Sequence, residues 1–389
     1  MKRTLLVIAV AAASAATATA AQAQSSVTLY GIVDAGVSYV NHAAVGTGSG
    51  KNFKYDDGVA SGSRWGLKGN EDLGNGLSAL FVLENGFNSG TGALGQGGTE
   101  FGRQAYVALA DKGVGAVTLG RQYSFSTDFL GPLSQGNMTA AGNYGFHIND
   151  IDQLTSSRIN NAVKFTSDNF YGFRAGAMYG FSNVAGAFNG TATAAGGTSR
   201  AYSFGLSYAN GPLSIAAAYT DISYPASAAP AFAVAIANVA LGSGTAGAAI
   251  QQLRTAGIGA KYVFGPATVF GMWTNTHFTP VAAGGSTANI FEGGVKYNFT
   301  TALALSGAYA FTDLTGTETG KWHQVNLTLD YAFSKRTDVY VLGVYQKAEG
   351  SNKGINNMAE IGSSSSYFGN SGGGTTNQIA ARVGIRHRF

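Results

Sequence analysis

The sequence predicts an all-β fold, a 16-stranded antiparallel transmembrane β-barrel. Three observations carry that expectation. Strand-length runs with period-two alternation recur along the whole chain. The connections between them alternate between tight turns and long loops. Both ends of the run series are strand-like, so the sheet can close on itself and leave no edge.

The chain begins with a segment that reads as a leader rather than as fold. Met1-Lys2-Arg3 is positive, Leu5–Ala13 is apolar, and Ala21-Gln22-Ala23 is a small-x-small cleavage site. The expectation is a signal peptide over residues 1–23 and one barrel domain over residues 24–389. Ala226–Leu241 is the next most apolar stretch, and it contains Pro230. It reads as a short helix or packed segment inside a loop rather than a span.

The strand runs follow in order. They are Ser26–Asn41, Ser63–Glu71, Leu77–Phe87, Phe101–Ala110, Gly115–Gln122, Arg158–Thr166, Phe173–Ser182 and Ala201–Ala209. The second half adds Leu213–Asp221, Arg254–Phe264, Ala267–Thr276, Asn289–Asn298, Ala302–Thr312, Trp322–Ala332, Thr337–Lys347 and Gln378–Phe389. Tight turns fall at Asp72–Gly76, Asp111–Val114, Ser167–Gly172, Asn210–Pro212, Gly265–Pro266, Thr300–Thr301 and Ser334–Arg336, mostly on Gly, Asn, Asp and Pro. Longer loops begin near His42, Asn88, Tyr123, Asn183, Ile222, His277, Asp313 and Ala348. Short connections on one side and long ones on the other fit short periplasmic turns and long extracellular loops.

Alternation fixes which face meets lipid. In the last run Ile379, Ala381, Val383, Ile385, His387 and Phe389 share one face, while Arg382, Arg386 and Arg388 share the other. Arg64, Gly66, Lys68 and Asn70 oppose Trp65 and Leu67. Arg158, Asn160, Ala162 and Lys164 oppose Ile159, Asn161, Val163 and Phe165, and Arg174 opposes Phe173, Ala175 and Tyr179. A cation facing lipid at the midplane costs about 2–4 kcal/mol, so the arginine face must be the inner one. Some 16 strands enclose more space than side chains fill, so water occupies the interior.

Composition agrees and excludes other classes. Charged residues are 11% of the chain, against about 25% in a typical soluble domain. The formal charge is +4, two of it from Lys2 and Arg3, too little to suggest nucleic acid. There is no Cys, and the five His (His42, His147, His277, His323, His387) show no metal-ligand spacing. No Gly-x-Ser-x-Gly nucleophile motif sits between a strand and a helix, so catalysis, a metal and a cofactor are not expected. A plugged adhesion barrel and a solute-specific channel are the rivals.

The phrases SVTLYGIVDAGV (Ser26–Val37), SRWGLKGNEDLGNGLSALFVLE (Ser63–Glu84), FGRQAYVAL (Phe101–Leu109), GAVTLGRQY (Gly115–Tyr123), RINNAVKF (Arg158–Phe165) and VGIRHRF (Val383–Phe389) run through the mature chain. Together they resemble the Gram-negative general-diffusion porins of the Burkholderia, Bordetella and Neisseria type. The resemblance implies a homotrimer in an outer membrane of lipid and lipopolysaccharide. Each barrel would be a separate channel for small hydrophilic solutes and ions, with the third long loop folded inward. It also implies that Phe389 is an address read by the barrel-assembly machinery; on parity it is equally a lipid-facing girdle residue.

The third loop, Tyr123–Ser157, carries Phe125, Phe129, Leu130, Leu133, Met138, Tyr144, Phe146 and Ile148, enough apolar groups to pack on the inner wall. It also carries Asp128, Asp150 and Asp152. Arg64, Arg103 and Arg158 stand at the loop-side halves of their strands. In the resembled family these motif positions cluster at the pore constriction, with an acid matching Glu84 beside them. Arg121 joins them only if its strand bulges at Gly120, because it shares parity with Val117 and Leu119. Lys68, Lys164 and Arg174 are expected in the lumen at heights the sequence does not give. Such a ring of permanent cations predicts a preference for anions.

Overall fold

The computed structural model describes residues 26–389 apart from 156, 184–199, 224–249, 281–283, 353 and 364–365. The expected leader, residues 1–23, and the apolar stretch Ala226–Leu241 lie outside the described residues.

Sixteen antiparallel strands form one closed wall. The first, Ser26–Val45, and the last, Asn377–Arg388, pair from Ile32↔Arg388 to Val40↔Ala380. The closure runs to the terminal residue: Phe389 N–H donates to Gly31 O and Gly31 N–H donates to Phe389 O, both at 3.1 Å. A Cβ at Gly31 would stand 2.3 Å from the Phe389 ring, so the glycine is what lets the terminal aromatic lie flat on the wall. With every wall strand paired on both sides, no backbone edge is offered to hydrocarbon.

The outer face is apolar, with Val37, Leu206, Val325, Leu327 and Val383 all exposed. Aromatic pairs Tyr262–Phe264, Tyr297–Phe299 and Tyr331–Phe333 stand beside the short turns, ring centroids 4.3–5.3 Å apart. They form the girdle expected where hydrocarbon gives way to headgroups.

Two departures from the sequence reading have physical causes. The first loop is not irregular. The first strand runs on to Val45, and Gly48–Asp57 returns along it as a hairpin. The chain then leaves the wall at Gly58 (φ +66°) and re-enters at Arg64. Asp34 organises that excursion. Its carbonyl accepts from Gly58 N–H at 2.8 Å and its carboxylate from Ser61 N–H at 2.7 Å. Ser63 Oγ caps the Asp34 N–H at 3.1 Å.

The second departure is in Arg158–Ser167. Its inner face is not the expected set throughout: Ile159 takes the place of Asn160, while Arg158, at the first position of the strand, still reaches the passage. Between the pairs Gly120↔Ala162 and Gln122↔Ile159, two residues (Asn160 and Asn161) oppose the single Arg121. Asn161 takes φ +49° at this bulge. The extra residue reverses the alternation, so Ile159 points inward along with Ala162 and Lys164.

The third loop folds inside the barrel as short helical turns, Ser126–Leu130, Gly131–Leu133, Gln135–Met138, Gly142–Tyr144 and Ile148–Asp150. Its two ends are tied by Ser124 N–H to Ser157 O at 2.8 Å. Its apolar groups pack as the sequence expects. Phe125, Leu130, Leu133, Phe146 and Leu154 meet Ile159, Met178, Ala216 and Met272 of the wall. Ile148 and Ile151 meet Leu253, Ile290, Leu314 and Trp322. Tyr144 and Ala140 meet Tyr340, Leu342 and Val40. A small hairpin of the last loop, Glu360–Ser363 with Ser366–Asn370, covers the third loop from outside, bringing Ile361 and Phe368 into the same cluster. The third loop therefore fills part of the lumen with packed protein.

Candidate functional site

The remaining space runs off-centre, between the third loop and the early strands. A cavity of about 540 Å³ is lined on the wall side by Arg64, Arg103, Arg158 and Tyr123. Thr127, Asp128, Pro132, Asn137, Asn143 and Thr155 of the loop line its other side. Each arginine arrives where a strand begins after a long loop. Arg64 and Arg158 open their strands and Arg103 immediately precedes Gln104–Asp111.

Glu84 sets the geometry of two of them. Its strand, Leu77–Gly86, lies between those that carry Arg64 and Arg103. Arg103 Nε meets Glu84 Oε1 at 2.7 Å, Arg64 Nε lies 4.0 Å from Oε2, and Tyr30 Oη donates to Oε2 at 3.0 Å. Glu84 is 5% exposed, so it aims the guanidinium groups more than it faces water. Arg158 lies along Tyr123, Nε donating to Tyr123 Oη at 3.2 Å with its guanidinium 5.0 Å from the ring centroid. The arginines are thus held as planar, permanently charged groups at fixed positions.

A second cavity of about 390 Å³ continues past Asp128 and is lined by Lys68, Tyr106, Thr118, Gln122 and Lys164. Lys164 Nζ donates to Tyr123 O at 3.0 Å and to the Asp128 carboxylate, and lies 4.6 Å from the Phe125 ring centroid. Lys68 stands 5.5 Å from the Tyr30 ring centroid. A third cavity of about 320 Å³ shares Ala60, Ser61 and Asn137 with the first and is lined by Lys296, Asp330, Arg386 and Arg388. Asp338 aligns its two arginines, 2.9 Å from Arg386 and 2.8 Å from Arg388.

Not every expected residue is brought here. Arg121 does not line the arginine cavity. The bulge that was to turn it inward lies in the opposite strand, at Asn160–Asn161, so its own parity is kept. Its Nε donates to Gly102 O at 2.8 Å and its guanidinium also reaches Asn160. Arg174 shares the inner face of Gly176 and Met178 but is exposed and lines none of these three cavities. Asp150 is turned into its own loop, accepting from Thr155 N–H at 3.1 Å and Thr155 Oγ1 at 2.7 Å. Asp152 is buried against Thr274 and His147, and only Asp128 of the three loop acids faces the passage.

Three residues were not singled out from sequence. Lys296 and Arg386 were legible as inner-face cations, but not that they line one cavity. His147 gave no signal beyond being a lone histidine in a loop. Among the described residues no three His, Cys, Asp or Glu are grouped so as to hold a metal. No described helix is long and apolar enough to cross a membrane, and the crossing elements are the strands.

Comparison with known proteins agrees with this geometry. The family model described as Gram-negative porin matches residues 9–352. The chain is 33% identical to an outer membrane porin protein of Bordetella pertussis over the full length of both. It is 32% identical to outer membrane porin protein 32 of Delftia acidovorans, over 94% of each. Among solved structures, an anion-selective porin from Comamonas acidovorans superposes with a TM-score of 0.71 at 27% identity, over 94% of this chain and all of the other. The fold is shared with the Comamonas structure, and the chain belongs to the Gram-negative porin family, as an outer-membrane channel.

Proposed function

We propose that this porin passes small hydrophilic solutes and ions by diffusion and favours anions. The observation that carries the reading is the wall of Arg64, Arg103 and Arg158 facing the third loop across the passage. Along the first two cavities five cations, those three with Lys68 and Lys164, face Glu84, Asp57 and Asp128. Two of these carboxylates are almost fully buried: Glu84 behind Arg103, and Asp57 against Ser63 and Ser89. Five cations against three carboxylates leave the lining net positive. A narrow water path through low-dielectric walls concentrates the resulting field and raises the local anion concentration. The Comamonas structure is named as anion-selective, which supports the same sign.

The wider setting belongs to the same reading. Residues 1–23 are removed on export, and three copies assemble in a bilayer with lipopolysaccharide. Phe389, presented at the closed seam, is read by the assembly machinery. Reversal potentials across a salt gradient in planar bilayers test the central claim. An anion preference that shrinks as Arg64, Arg103 and Arg158 are neutralised one at a time supports it, and a cation preference of the native channel overturns it.

A further inference from the structure

His147 is a buried titratable group that permeation does not use. It sits in the third loop, 3% exposed, with a carboxylate on each ring nitrogen. Nδ1 is 2.6 Å from Asp152 Oδ2 and Nε2 is 3.0 Å from Glu292 Oε2. Asp152 belongs to the loop, while Glu292 belongs to the wall strand Ser286–Asn298, and neither side chain is exposed. A neutral imidazole has one N–H and can satisfy one of these acceptors, whereas an imidazolium satisfies both.

The same two carboxylates hold the rest of the loop. Both oxygens of Glu292 accept from Gln135 N–H, at 3.0 and 3.1 Å. Gln135 opens the helical turn Gln135–Met138, whose Asn137 lines the first and third cavities. Asp152 Oδ2 also accepts from Thr274 Oγ1 of a neighbouring strand at 2.7 Å. Gln324 donates to the carbonyls of Tyr144 and Phe146, both at 3.2 Å, just before the histidine. The charged groups facing the ring are thus Asp152 from the loop and Glu292 from the wall, while Thr274, Gln135 and Gln324 supply neutral hydrogen bonds. The loop's attachment here is a −/+/− sandwich with the cation in the middle.

We propose that His147, as imidazolium, is the positioning residue that clamps the third loop to the wall and so keeps the passage at its open width. Without the central positive charge, two buried carboxylates would face each other with no cation between them, and the polar attachment of the loop at this point would weaken while its apolar packing remains. The turn bearing Asn137 would then be free to move into the space beside Arg64 and Arg158. Burial alone would lower the histidine's proton affinity. Asp152 and Glu292 outweigh it and hold the imidazole well above its ordinary range. The clamp is therefore in place at neutral pH and is lost as pH rises through that raised value. The inference rests on the passage running beside the loop, but it is independent of whether the channel prefers anions.

Single-channel recording in planar bilayers tests it, with pH set equally on both sides. The native channel is expected to be steady at neutral pH and to show closures at least about tenfold more frequent once the imidazolium is lost in alkali. His147→Gln is expected to show the same closures at neutral pH and no further alkaline change. The double variant His147→Gln/Glu292→Gln removes one carboxylate as well and restores the net charge of the site, so it should quieten the channel again. A purely structural role in packing predicts no such rescue. An alkaline transition absent from the native channel overturns the clamp, as does a double variant no quieter than the single one. The native pH titration needs no mutant to fold. The reversal potential recorded in the same experiment reads the anion preference separately.

Discussion

Arg382 and Asp34 meet at 3.1 Å across the seam between the last strand and the first, with neither side chain exposed. Tyr340 Oη donates to Asp34 Oδ1 at 2.6 Å, and Arg382 donates to Ser38 Oγ at 3.2 Å and to Asp56 O at 3.1 Å. The closure of the barrel and the hairpin of the first loop are fastened at one point. Arg382→Ala leaves Asp34 buried without its cation, which typically costs about 3–5 kcal/mol. Unfolding of the reconstituted barrel in urea or on heating is expected to shift by that order, while Arg336→Ala, on an exposed turn, leaves it unchanged.

The terminal aromatic gives a steric test. A side chain at Gly31 meets the Phe389 ring at 2.3 Å and Arg64 O at 2.7 Å, and the second contact is backbone. Gly31→Val is expected to destabilise the seam by about 1–3 kcal/mol. The heat-modifiable gel shift of the folded barrel should appear at a lower temperature than in the native chain.

The arginine wall makes a quantitative claim about current. One charge at about 8 Å in water is worth roughly 0.5 kcal/mol, or about a twofold change in local ion concentration. Arg158→Gln should lower the anion-to-cation permeability ratio by about that factor in dilute salt. Arg103→Gln should lower it further, because Glu84 loses its 2.7 Å partner and turns its charge to the water. Both differences should fade near 1 M salt, where the screening length is about 3 Å.

Glu360, in the hairpin that covers the third loop, has no exposed surface, and burial pushes its carboxyl well above the usual 4.5. The native state therefore holds the proton more tightly than the unfolded chain. The sign follows: hairpin stability is greatest at acid pH and falls as pH rises above about 4.5 toward the raised value. Hydrogen exchange of the amides of Glu360–Ser363 and Ser366–Asn370 should show protection declining across that window. Glu360→Gln should make it independent of pH.

Most of the wall was legible in the sequence because its signal is local. Arg64 opposite Trp65, or Arg382 opposite Val383, needs only a parity rule and the cost of a charge in hydrocarbon. The apolar content of the third loop likewise foretold that it packs. What stayed hidden depends on register or on three-dimensional meeting. A single extra residue at Asn160–Asn161 turned Ile159 inward, and no composition signals where such a residue falls. His147 and Glu292 lie 145 positions apart and join only because the loop folds back on that strand.

The inward loop divides the inner surface into two regimes. Around Met178, Met272, Ile290 and Trp322 it is a closed core, in which truncation leaves a void and costs about 2–5 kcal/mol. Around Lys68 and Arg158 it is a wetted shore, where a side chain can be shortened or exchanged at little expense to folding. The tube can therefore be retuned for different solutes along one arc while the opposite arc, filled like the interior of a soluble protein, keeps its shape.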